Sequence, residues 1–351
     1  MHNLFKNLKV LDLSTVLAGP SVATFFAELG AEVLKVEPPE MGDVTRSWKL
    51  PSEDPDDHIS SYFSSVNFKK KYLTLDLLNE KDHSILMQHI SNTDIIITNF
   101  KKGDAQKLNI EDETLRKINP RLIIGKISGF GEQNKRIAYD LILQAETGFM
   151  SINGEADQGP LKMPVALIDV LAAHHLKEGL LLALLSKEAR TINVSLYDAA
   201  VSSLMNQASN YLMTNEKPKR QGNLHPNIAP YGEIFLTKDE NNVTFAIGSD
   251  KHFRLLCELL GSPQLMQSEA YKTNQLRVKN RIALAEELST LVSEISLGTL
   301  LSACLNNGIP CAEIKSIDQV LNSDSSKELI REEIIQGKPT SRITSIAAKW
   351  K

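Results

Sequence analysis

Short runs of β-branched and aliphatic residues recur along the first half of the chain and alternate with segments of helical periodicity. The runs are LKVLDL at 8–13, EVLKV at 32–36, DIIIT at 94–98 and RLIIGK at 121–126. Between them the pattern predicts helices near 20–29, 80–91 and 103–117, the last ending before a proline that disfavours further helix. Strands that alternate with helices form βαβ units. The sequence therefore predicts an α/β fold with a largely parallel sheet.

The pattern changes near residue 205. Leucines at helical spacing predict a helix over 170–187, and INVSLYDAAV at 192–201 predicts a strand that runs into a helix. The segment KPKRQGNLHPNIAPYG is rich in proline, glycine and asparagine, which is typical of a linker. Beyond it, YGEIFLT and VTFAIG resemble a hairpin, and helical patterns follow near 251–260 and 277–307. The predicted organisation is a large α/β domain at 1–205, a linker at 206–226 and a smaller α+β domain at 227–317.

Composition limits the classes of function. The chain carries 39 basic and 43 acidic residues and a formal charge of −4, which argues against a nucleic-acid binder with a broad basic face. Cys257, Cys304 and Cys311 are too scattered for a disulfide framework, and no CxxC pair indicates a metal site. No stretch approaches the roughly 20 apolar residues that cross a bilayer, and the amino terminus lacks signal-peptide features. We expect a cytoplasmic protein without a metal that binds neither nucleic acid nor membrane.

The second strand and the turn after the first strand bear on whether the chain binds a dinucleotide. The second strand ends in Val36-Glu37, where a Rossmann dinucleotide fold places its ribose-binding acid. The first turn reads STVLAGPS and lacks GxGxxG, and the GxG at 129–131 has no third glycine at the required spacing. The sequence therefore does not support NAD binding.

Several blocks of sequence together match one family pattern. They are LDLSTVLAGPSVATFFAELGAEVLKVEPPEMGD at 11–43, NFKKKYLTLDL at 67–77, NFKKGDAQKLNI at 99–110, SGFG at 128–131, YDLILQAETGFM at 139–150, IDVLAAHHLKEGLLLAL at 168–184 and GIPCAEI at 308–314. In these blocks, and in their order over nearly the whole chain, the sequence resembles the class III CoA-transferases, the CaiB/BaiF family. The resemblance implies a Rossmann-like large domain closed by the carboxy-terminal segment 318–351, a small α+β domain, and two interlocked subunits in a homodimer.

The resemblance places Asp169 at the position of the family's nucleophilic aspartate. It implies an acyl-CoA:carboxylate CoA-transferase that works through an aspartyl mixed anhydride and an aspartyl-CoA thioester. Independently, the helical pattern that follows Asp169 predicts a carboxylate near a helix N-terminus, where backbone N–H groups stabilise an anion. A role in capping that helix is the alternative for the same side chain, and the two roles are compatible.

The resemblance also implies which residues contact CoA, a substrate here and not a permanently bound cofactor. On CoA-contacting segments it places Lys70, Lys71, Asn99, Phe100, Lys101 and Lys107. For each of these lysines, a solvated position on the surface is the alternative. Residues of the first turn match positions near the pantetheine and thioester end, namely Val16, Leu17 and Ala18.

Tyr139 distinguishes between activities found in the family. The family's racemases carry a histidine at this position, and tyrosine, with an ordinary pKa of about 10, is a poor base at neutral pH. Transfer is therefore favoured, while racemisation of 2-methylacyl-CoA esters and silent CoA binding stay open. Ile247-Gly248-Ser249-Asp250 stands where formyl-CoA transferases have a glycine-rich loop, which argues against formyl-CoA and oxalate as substrates. The sequence does not identify the acyl group.

Overall fold

A computed structural model describes residues 3–349, and its first unit is built on a six-stranded parallel sheet. The strands are β1 (Lys9–Asp12), β2 (Glu32–Glu37), β3 (Lys70–Thr74), β4 (Ile95–Thr98), β5 (Ile123–Ser128) and β6 (Thr191–Ser195). Their order is β3-β2-β1-β4-β5-β6, and every neighbouring pair is parallel. This is the strand order of a Rossmann fold, whose direction of winding reverses between β1 and β4. The predicted parallel α/β sheet is confirmed, although the sequence pattern did not identify β3.

Helices cover both faces of this sheet. The helices in this part of the chain are α1 (Ala18–Glu28), α2 (Ser61–Ser65), α3 (Glu80–Ile90), α4 (Asp104–Lys107), α5 (Asp112–Ile118), α6 (Asp140–Glu146), α7 (Phe149–Ile152), α8 (Leu167–Ser186), α9 (Leu196–Ser202) and α10 (Met205–Thr214), with a 3₁₀ helix at Val44–Ser47. One buried cluster joins the sheet to α1 and α8, and another joins its opposite face to α3 and α5. Successive side chains of a strand point to opposite faces, so strands covered on both sides read as continuous apolar runs.

Two helices differ from the sequence prediction. The predicted helix at 103–117 is divided into α4 and α5, because Asn109 takes the left-handed conformation at φ 51° and interrupts the hydrogen-bonding pattern. Helix α8 begins at Leu167, so that Asp169 lies inside its first turn.

The second unit combines a small antiparallel sheet with helices. Its strands are β7 (Tyr231–Leu236), β8 (Asn242–Ala246) and β9 (Cys311–Glu313), paired in the order β7-β8-β9. Its helices are α11 (Asp250–Leu259), α12 (Gln264–Gln267), α13 (Asn274–Lys279), α14 (Arg281–Val292), α15 (Leu297–Asn306) and α16 (Ile317–Leu321). They share an apolar core that includes Phe235, Phe245 and Leu288. The predicted hairpin is present as β7 and β8, and the helical pattern over 277–307 is divided among α13, α14 and α15.

The carboxy-terminal segment returns to the first unit. It contains α17 (Asp324–Lys327) and an antiparallel hairpin of β10 (Ile330–Ile335) and β11 (Lys338–Ile343). Glu28, which is buried at the end of α1, pairs with Arg342 and accepts hydrogen bonds from Thr344 Oγ1 at 3.0 Å and Ser345 N at 2.9 Å. The predicted closing segment, 318–351, includes residues 350 and 351, which lie outside the described residues.

The chain divides into two compact units whose boundaries differ from the predicted ones. The first unit comprises residues 1–149, 162–216 and 324–351, and the second comprises 150–161 and 217–323. Helix α10 occupies the first part of the predicted linker, 206–226, and from 215 to 230 the chain has no helix or strand.

Membrane-spanning and metal-binding features were sought in residues 3–349. No single helix in that range is long and apolar enough to cross a membrane, although α14 and α15, bent by 111°, pass the length and composition test as a pair. Across the same range, no group of three or more His, Cys, Asp or Glu side chains is arranged to hold a metal ion.

Candidate active site

A cavity lies in the first unit at the carboxyl ends of β1, β4 and β5. Ligands of open α/β sheets bind at such a position, where the direction of winding reverses. Eight of the predicted site residues line the cavity, namely Val16, Leu17, Ala18, Asn99, Phe100, Lys101, Tyr139 and Asp169. These residues come from the first βα turn, the turn after β4, the start of α6 and the start of α8. The fold therefore brings together segments that are far apart in the sequence.

Asp169 is one of the residues that line this cavity. Its side chain belongs to the first turn of α8 and is 8% exposed, and no residue within 3–349 donates a hydrogen bond to its carboxylate. Burial, with a smaller contribution from the carboxylate of Asp140, raises the pKa of Asp169 to about 7. A buried carboxylate without donors is poorly stabilised as an anion, and the charge of a second carboxylate opposes its ionisation further. Asp169 therefore changes its ionisation state near neutral pH.

Asp140, and not Asp169, caps α8. Its Oδ1 accepts hydrogen bonds from the backbone N–H groups of Ile168 at 2.7 Å and Asp169 at 3.3 Å. The residue at the usual N-cap position is Ala166, whose side chain has no acceptor. The predicted stabilisation of the Asp169 carboxylate by the helix N-terminus is therefore wrong, because another side chain occupies the N–H groups that would provide it.

The ionisation of Asp169 leads to a prediction about stability. Asp169→Asn should raise the free energy of unfolding above pH 7, because asparagine keeps the shape of the side chain and carries no charge. The folded pKa of about 7 lies above the ordinary value of 3.8, so the cost of ionisation is absent below pH 3.8. That cost increases up to the folded pKa and is constant above it, reaching at most roughly 4 kcal/mol. Urea unfolding of the variant and the wild type at pH 5.5 and pH 8.5 measures this cost. If the difference between their free energies of unfolding does not grow with pH, the raised pKa of Asp169 is contradicted.

Asn99 joins the turns after β1 and β4. Its Oδ1 accepts a hydrogen bond from Thr15 N at 3.0 Å, and its Nδ2 donates to Thr15 O at 2.8 Å. Asn99 thus satisfies both backbone groups of Thr15 and fixes the cavity wall. Its observed contacts are within the protein, although it also lines the cavity.

A buried group of charges supports the same first turn. Lys35 Nζ lies 3.0 Å from Asp43 Oδ2 and donates to Ser14 O at 2.7 Å, and Asp43 in turn accepts a hydrogen bond from Val16 N. Lys70 Nζ lies 2.8 Å from Asp12 Oδ2, and all four of these charged side chains are inaccessible to solvent. Val16 adopts φ 72°, which is strained for a β-branched residue and needs support from its surroundings. The charges provide that support from beneath the cavity.

Glu37, at the end of β2, is the acid that suggested a dinucleotide-binding hypothesis. Its Oε1 accepts hydrogen bonds from Asp43 N at 2.9 Å and Arg46 Nε at 3.0 Å, and its Oε2 accepts from Arg46 Nη2 at 2.6 Å. The acid at the end of β2 is therefore engaged within the protein.

Comparison with known proteins identifies the family. A family model described as CoA-transferase family III matches residues 5–348. The chain belongs to CoA-transferase family III. It is therefore an enzyme, and the resemblance seen in the sequence is confirmed.

Several relatives of this CoA-transferase have names that state an activity. A succinate–glutarate CoA-transferase of Agrobacterium fabrum is 36% identical over 323 residues, which cover 89% of this chain and 80% of that protein. A succinyl-CoA:glutarate CoA-transferase of Mus musculus is 34% identical, with 90% and 73% covered, and an acetyl-CoA:oxalate CoA-transferase of Acetobacter aceti is 33% identical, with 91% and 82% covered. Among solved structures, a CaiB/BaiF family protein from Brucella suis has a TM-score of 0.83 and 32% identity, covering all of this chain and 93% of that one.

Three of the lysines predicted to contact CoA lie elsewhere in this CoA-transferase. Lys70 is unavailable because its ammonium is buried and donates to Asp12, Pro20 O and Asn67 Oδ1. Lys71 points outward from the same strand and pairs with Glu32 on the surface. Lys107 is exposed at the end of α4 and does not line the cavity.

The cavity contains two cations that the sequence analysis did not identify. Lys102 donates to Gln133 O at 3.1 Å, and the guanidinium of Arg136 lies 4.0 Å from the centroid of the Phe130 ring. Arg136 also pairs with Glu146 on the surface. Lys102 is adjacent to Lys101, which the sequence did indicate. Arg136 lies in EQNKRIA, between the matched blocks SGFG and YDLILQAETGFM, where the sequence departs from the family pattern and the resemblance implies no contact residue.

Proposed function

We propose that the protein is an acyl-CoA:carboxylate CoA-transferase in which Asp169 is the nucleophile. The observation that carries this proposal is the Asp169 carboxylate, which lines the cavity and accepts no hydrogen bond from the part of the chain that the structure describes. An acyl transfer needs an available anion, and a carboxylate already bound to backbone N–H groups would be a weaker nucleophile. Family membership supports the reaction class.

The proposed reaction conserves the energy of the thioester. Ionised Asp169 attacks the acyl carbon of the donor, the carbon–sulfur bond breaks, and CoA thiolate leaves behind an aspartyl mixed anhydride. The thiolate then attacks the aspartyl carbonyl and releases the donor carboxylate, which gives an aspartyl-CoA thioester. The acceptor carboxylate attacks this thioester, the thiolate leaves again, and it then attacks the acceptor's acyl carbon. The products are a new acyl-CoA and free Asp169, and no proton is gained or lost overall.

A mass-spectrometric experiment tests the covalent step. The protein is incubated with succinyl-CoA without an acceptor, treated with hydroxylamine, digested and analysed for a modified peptide that contains Asp169. We expect hydroxamate at Asp169, because both proposed intermediates are activated carboxyl groups. Exchange of the α-proton into deuterated water without a modified Asp169 would favour racemisation, and neither signal would favour silent CoA binding.

The positive charges of the cavity support dicarboxylic substrates. The relatives compared above are named for succinate, glutarate or oxalate, and each of these acids carries a second carboxylate. Lys101, Lys102 and Arg136 line the cavity and could pair with that group or with the phosphates of CoA. We therefore include dicarboxylates as the acceptor class in the proposal.

An acceptor panel tests this class. With succinyl-CoA as donor, glutarate should give a kcat/KM at least about ten-fold above that of butyrate, because one charge-assisted contact contributes about 1.4 kcal/mol. If Arg136 contacts the distal carboxylate of the acceptor, Arg136→Gln should reduce this ratio. If Arg136 instead contacts CoA, the same substitution should raise the KM for succinyl-CoA with either acceptor. Equal use of the two acceptors by the wild-type protein would contradict a dicarboxylate specificity.

The proposal extends to a cytoplasmic homodimer with interlocked subunits that uses CoA as a substrate and not as a bound cofactor. Exposed apolar side chains on α8 and α10 support a partner surface, with Leu185 79%, Leu212 76% and Met213 86% exposed. Such residues gain free energy when another chain removes them from water. A monomer in sedimentation equilibrium at micromolar concentration would contradict the dimer.

A further inference from the structure

Asp140 accepts hydrogen bonds from the first backbone N–H groups of α8, which need an acceptor from outside the helix. The first N–H groups of a helix have no acceptor within the helix, and a buried N–H without a partner is costly. Ala166 cannot cap them, and Asp140 Oδ1 accepts from Ile168 N and Asp169 N instead. The cap therefore comes from a different helix, because Asp140 belongs to the first turn of α6.

A second contact holds Asp140 itself in place. Gln144, one turn later on α6 and 1% exposed, donates through Nε2 to Asp140 Oδ2. Gln144 Oε1 accepts a hydrogen bond from Met163 N at 2.7 Å. Both oxygens of Asp140 are thus engaged, and the segment before α8 is fixed to α6. This arrangement gives the carboxylate of Asp140 little freedom to move.

We infer that Asp140 is a positioning residue that directs the Asp169 carboxylate into the cavity by occupying the backbone N–H groups that would otherwise bind it. The inference rests on the proposed role of Asp169 as nucleophile. Asp140 does not line the cavity, so its effect on the reaction is exerted through Asp169. Without this cap, the N–H groups of Ile168 and Asp169 would lack an acceptor, and the Asp169 carboxylate, in the same turn, accepts no hydrogen bond from another residue within 3–349.

The electrostatics agree with this geometry. After burial, the charge of Asp140 is the second cause of the raised pKa of Asp169. Burial and the charges of Asp169, Asp140 and Asp43 raise the pKa of Tyr62 to about 12, so Tyr62 remains a neutral phenol at working pH. The other charged or titratable groups around the cavity are Lys101, Lys102, Glu132, Arg136 and Tyr139. A carboxylate that is more basic is also the stronger nucleophile toward a thioester.

Two substitutions of Asp140 separate its hydrogen bonds from its charge. Asp140→Asn keeps an oxygen acceptor for the N–H groups and removes the charge, whereas Asp140→Ala removes both. The ionisation of Asp169 is followed directly by carbon-13 NMR of its labelled carboxyl group, and adduct formation with succinyl-CoA is followed in a single turnover between pH 5.5 and 8.5. Asp324→Asn is the control, because its side chain is 98% exposed on α17.

We expect the NMR midpoint of Asp169 to fall in both Asp140 variants. In the wild type, adduct formation at pH 6 should be roughly a tenth of its value at high pH, as a pKa of about 7 requires, and this ratio should rise several-fold in Asp140→Asn. Asp140→Ala should also lose at least about ten-fold in the maximal rate, because the freed N–H groups bind the nucleophile. The Asp324→Asn control should match the wild type.

The outcomes distinguish failure of this inference from failure of the proposed function. A maximal rate in Asp140→Ala equal to that in Asp140→Asn would overturn the inference even if stability fell, because a purely structural cap alters stability alone. If Asp140→Ala does not fold, Asp140→Asn still decides the question. Its amide oxygen keeps the two N–H groups occupied, so a loss of about ten-fold or more in its maximal rate would contradict the inference. A wild-type protein that forms no adduct at any pH would overturn the proposed function, and the inference that depends on it.

Discussion

Replacing Asp169 with asparagine should abolish CoA transfer and leave the fold intact. The amide has the size of the carboxylate but cannot form the aspartyl anhydride, so no covalent intermediate is available. We expect kcat for transfer from succinyl-CoA to glutarate to fall by about 10³-fold or more, as for other removed nucleophiles. Alanine at the same position should have the same effect on turnover. Separation of the acyl-CoA products by chromatography measures the rate.

The control for this experiment separates loss of chemistry from loss of structure. Asp324→Asn removes an exposed carboxylate of the first unit that pairs with Lys327 at the surface, and it should transfer CoA at the wild-type rate. Asp169→Asn should still bind CoA, because the predicted binding residues of the first turn are unchanged. Near-normal transfer by Asp169→Asn would remove the nucleophile assignment, whatever its stability.

The expected pH dependence follows from the same carboxylate. A pKa near 7 leaves much of Asp169 protonated in neutral solution, and in the proposed reaction only the ionised form attacks the thioester. Burial of Asp169 raises its pKa and so lowers the fraction of molecules with an ionised Asp169. The same burial makes the ionised carboxylate more basic and therefore more reactive. A buried carboxylate also suits the proposed reaction, because water would hydrolyse the activated intermediates. The raised pKa is thus a consequence of the enclosure that the chemistry needs.

Most strands of the sheet were predictable because each is a continuous apolar run that can be recognised from the local sequence alone. In β4 the residues Ile95, Ile96 and Ile97 are all buried, since helices cover both faces of the sheet. Such a run is legible without any knowledge of its partners. Strand β3 was missed because it lies at the edge of the sheet and its sequence, KKYLT, is largely polar, so it has no apolar run.

The site was predictable only in part. The family pattern located Asp169 and the first turn, but it could not show that Asp140 caps α8, because that bond joins residues 28 positions apart through the tertiary fold. The left-handed Asn109 that divides a predicted helix is likewise decided by its surroundings. Local periodicity reports which face of an element is apolar, whereas a cap from a distant side chain depends on how the elements meet.

The roles of Lys70 and Lys71 likewise depend on tertiary contacts that the sequence does not show. Substitution of Lys70 should have a large effect on stability. Lys70→Met should lower the free energy of unfolding by about 3–5 kcal/mol, the usual cost of removing one partner from a buried ion pair. The ammonium of Lys70 contacts Asp12, Pro20 O and Asn67 Oδ1, and all three acceptors would lose it. Burial, together with the charge of Lys35 and opposed by Asp12, lowers the pKa of Lys70 to about 8. Urea unfolding at pH 7 measures the change in stability.

Lys71→Met is the matched control for this substitution. The two lysines are neighbours on β3, and the same motif predicted a CoA contact for both. The side chain of Lys71 is 71% exposed and its pair with Glu32 lies in solvent, so its removal should change stability little. A difference between two adjacent lysines would show that alternation along the strand, and not the motif, sets the role of each.

The structure also predicts how Lys70 affects the reaction. Because Asp12 accepts hydrogen bonds from Ser14 N and Ser14 Oγ, loss of Lys70 should loosen the turn that holds Val16 at φ 72° against the cavity. Adding Asp12→Asn to Lys70→Met should recover part of the lost stability, since it removes the charge left without a partner. If Lys70 instead contacted a phosphate of CoA, Lys70→Met would raise the KM for acyl-CoA without a loss of stability, and Asp12→Asn would recover nothing. The double-mutant cycle therefore decides between support from beneath the cavity and direct contact with the substrate.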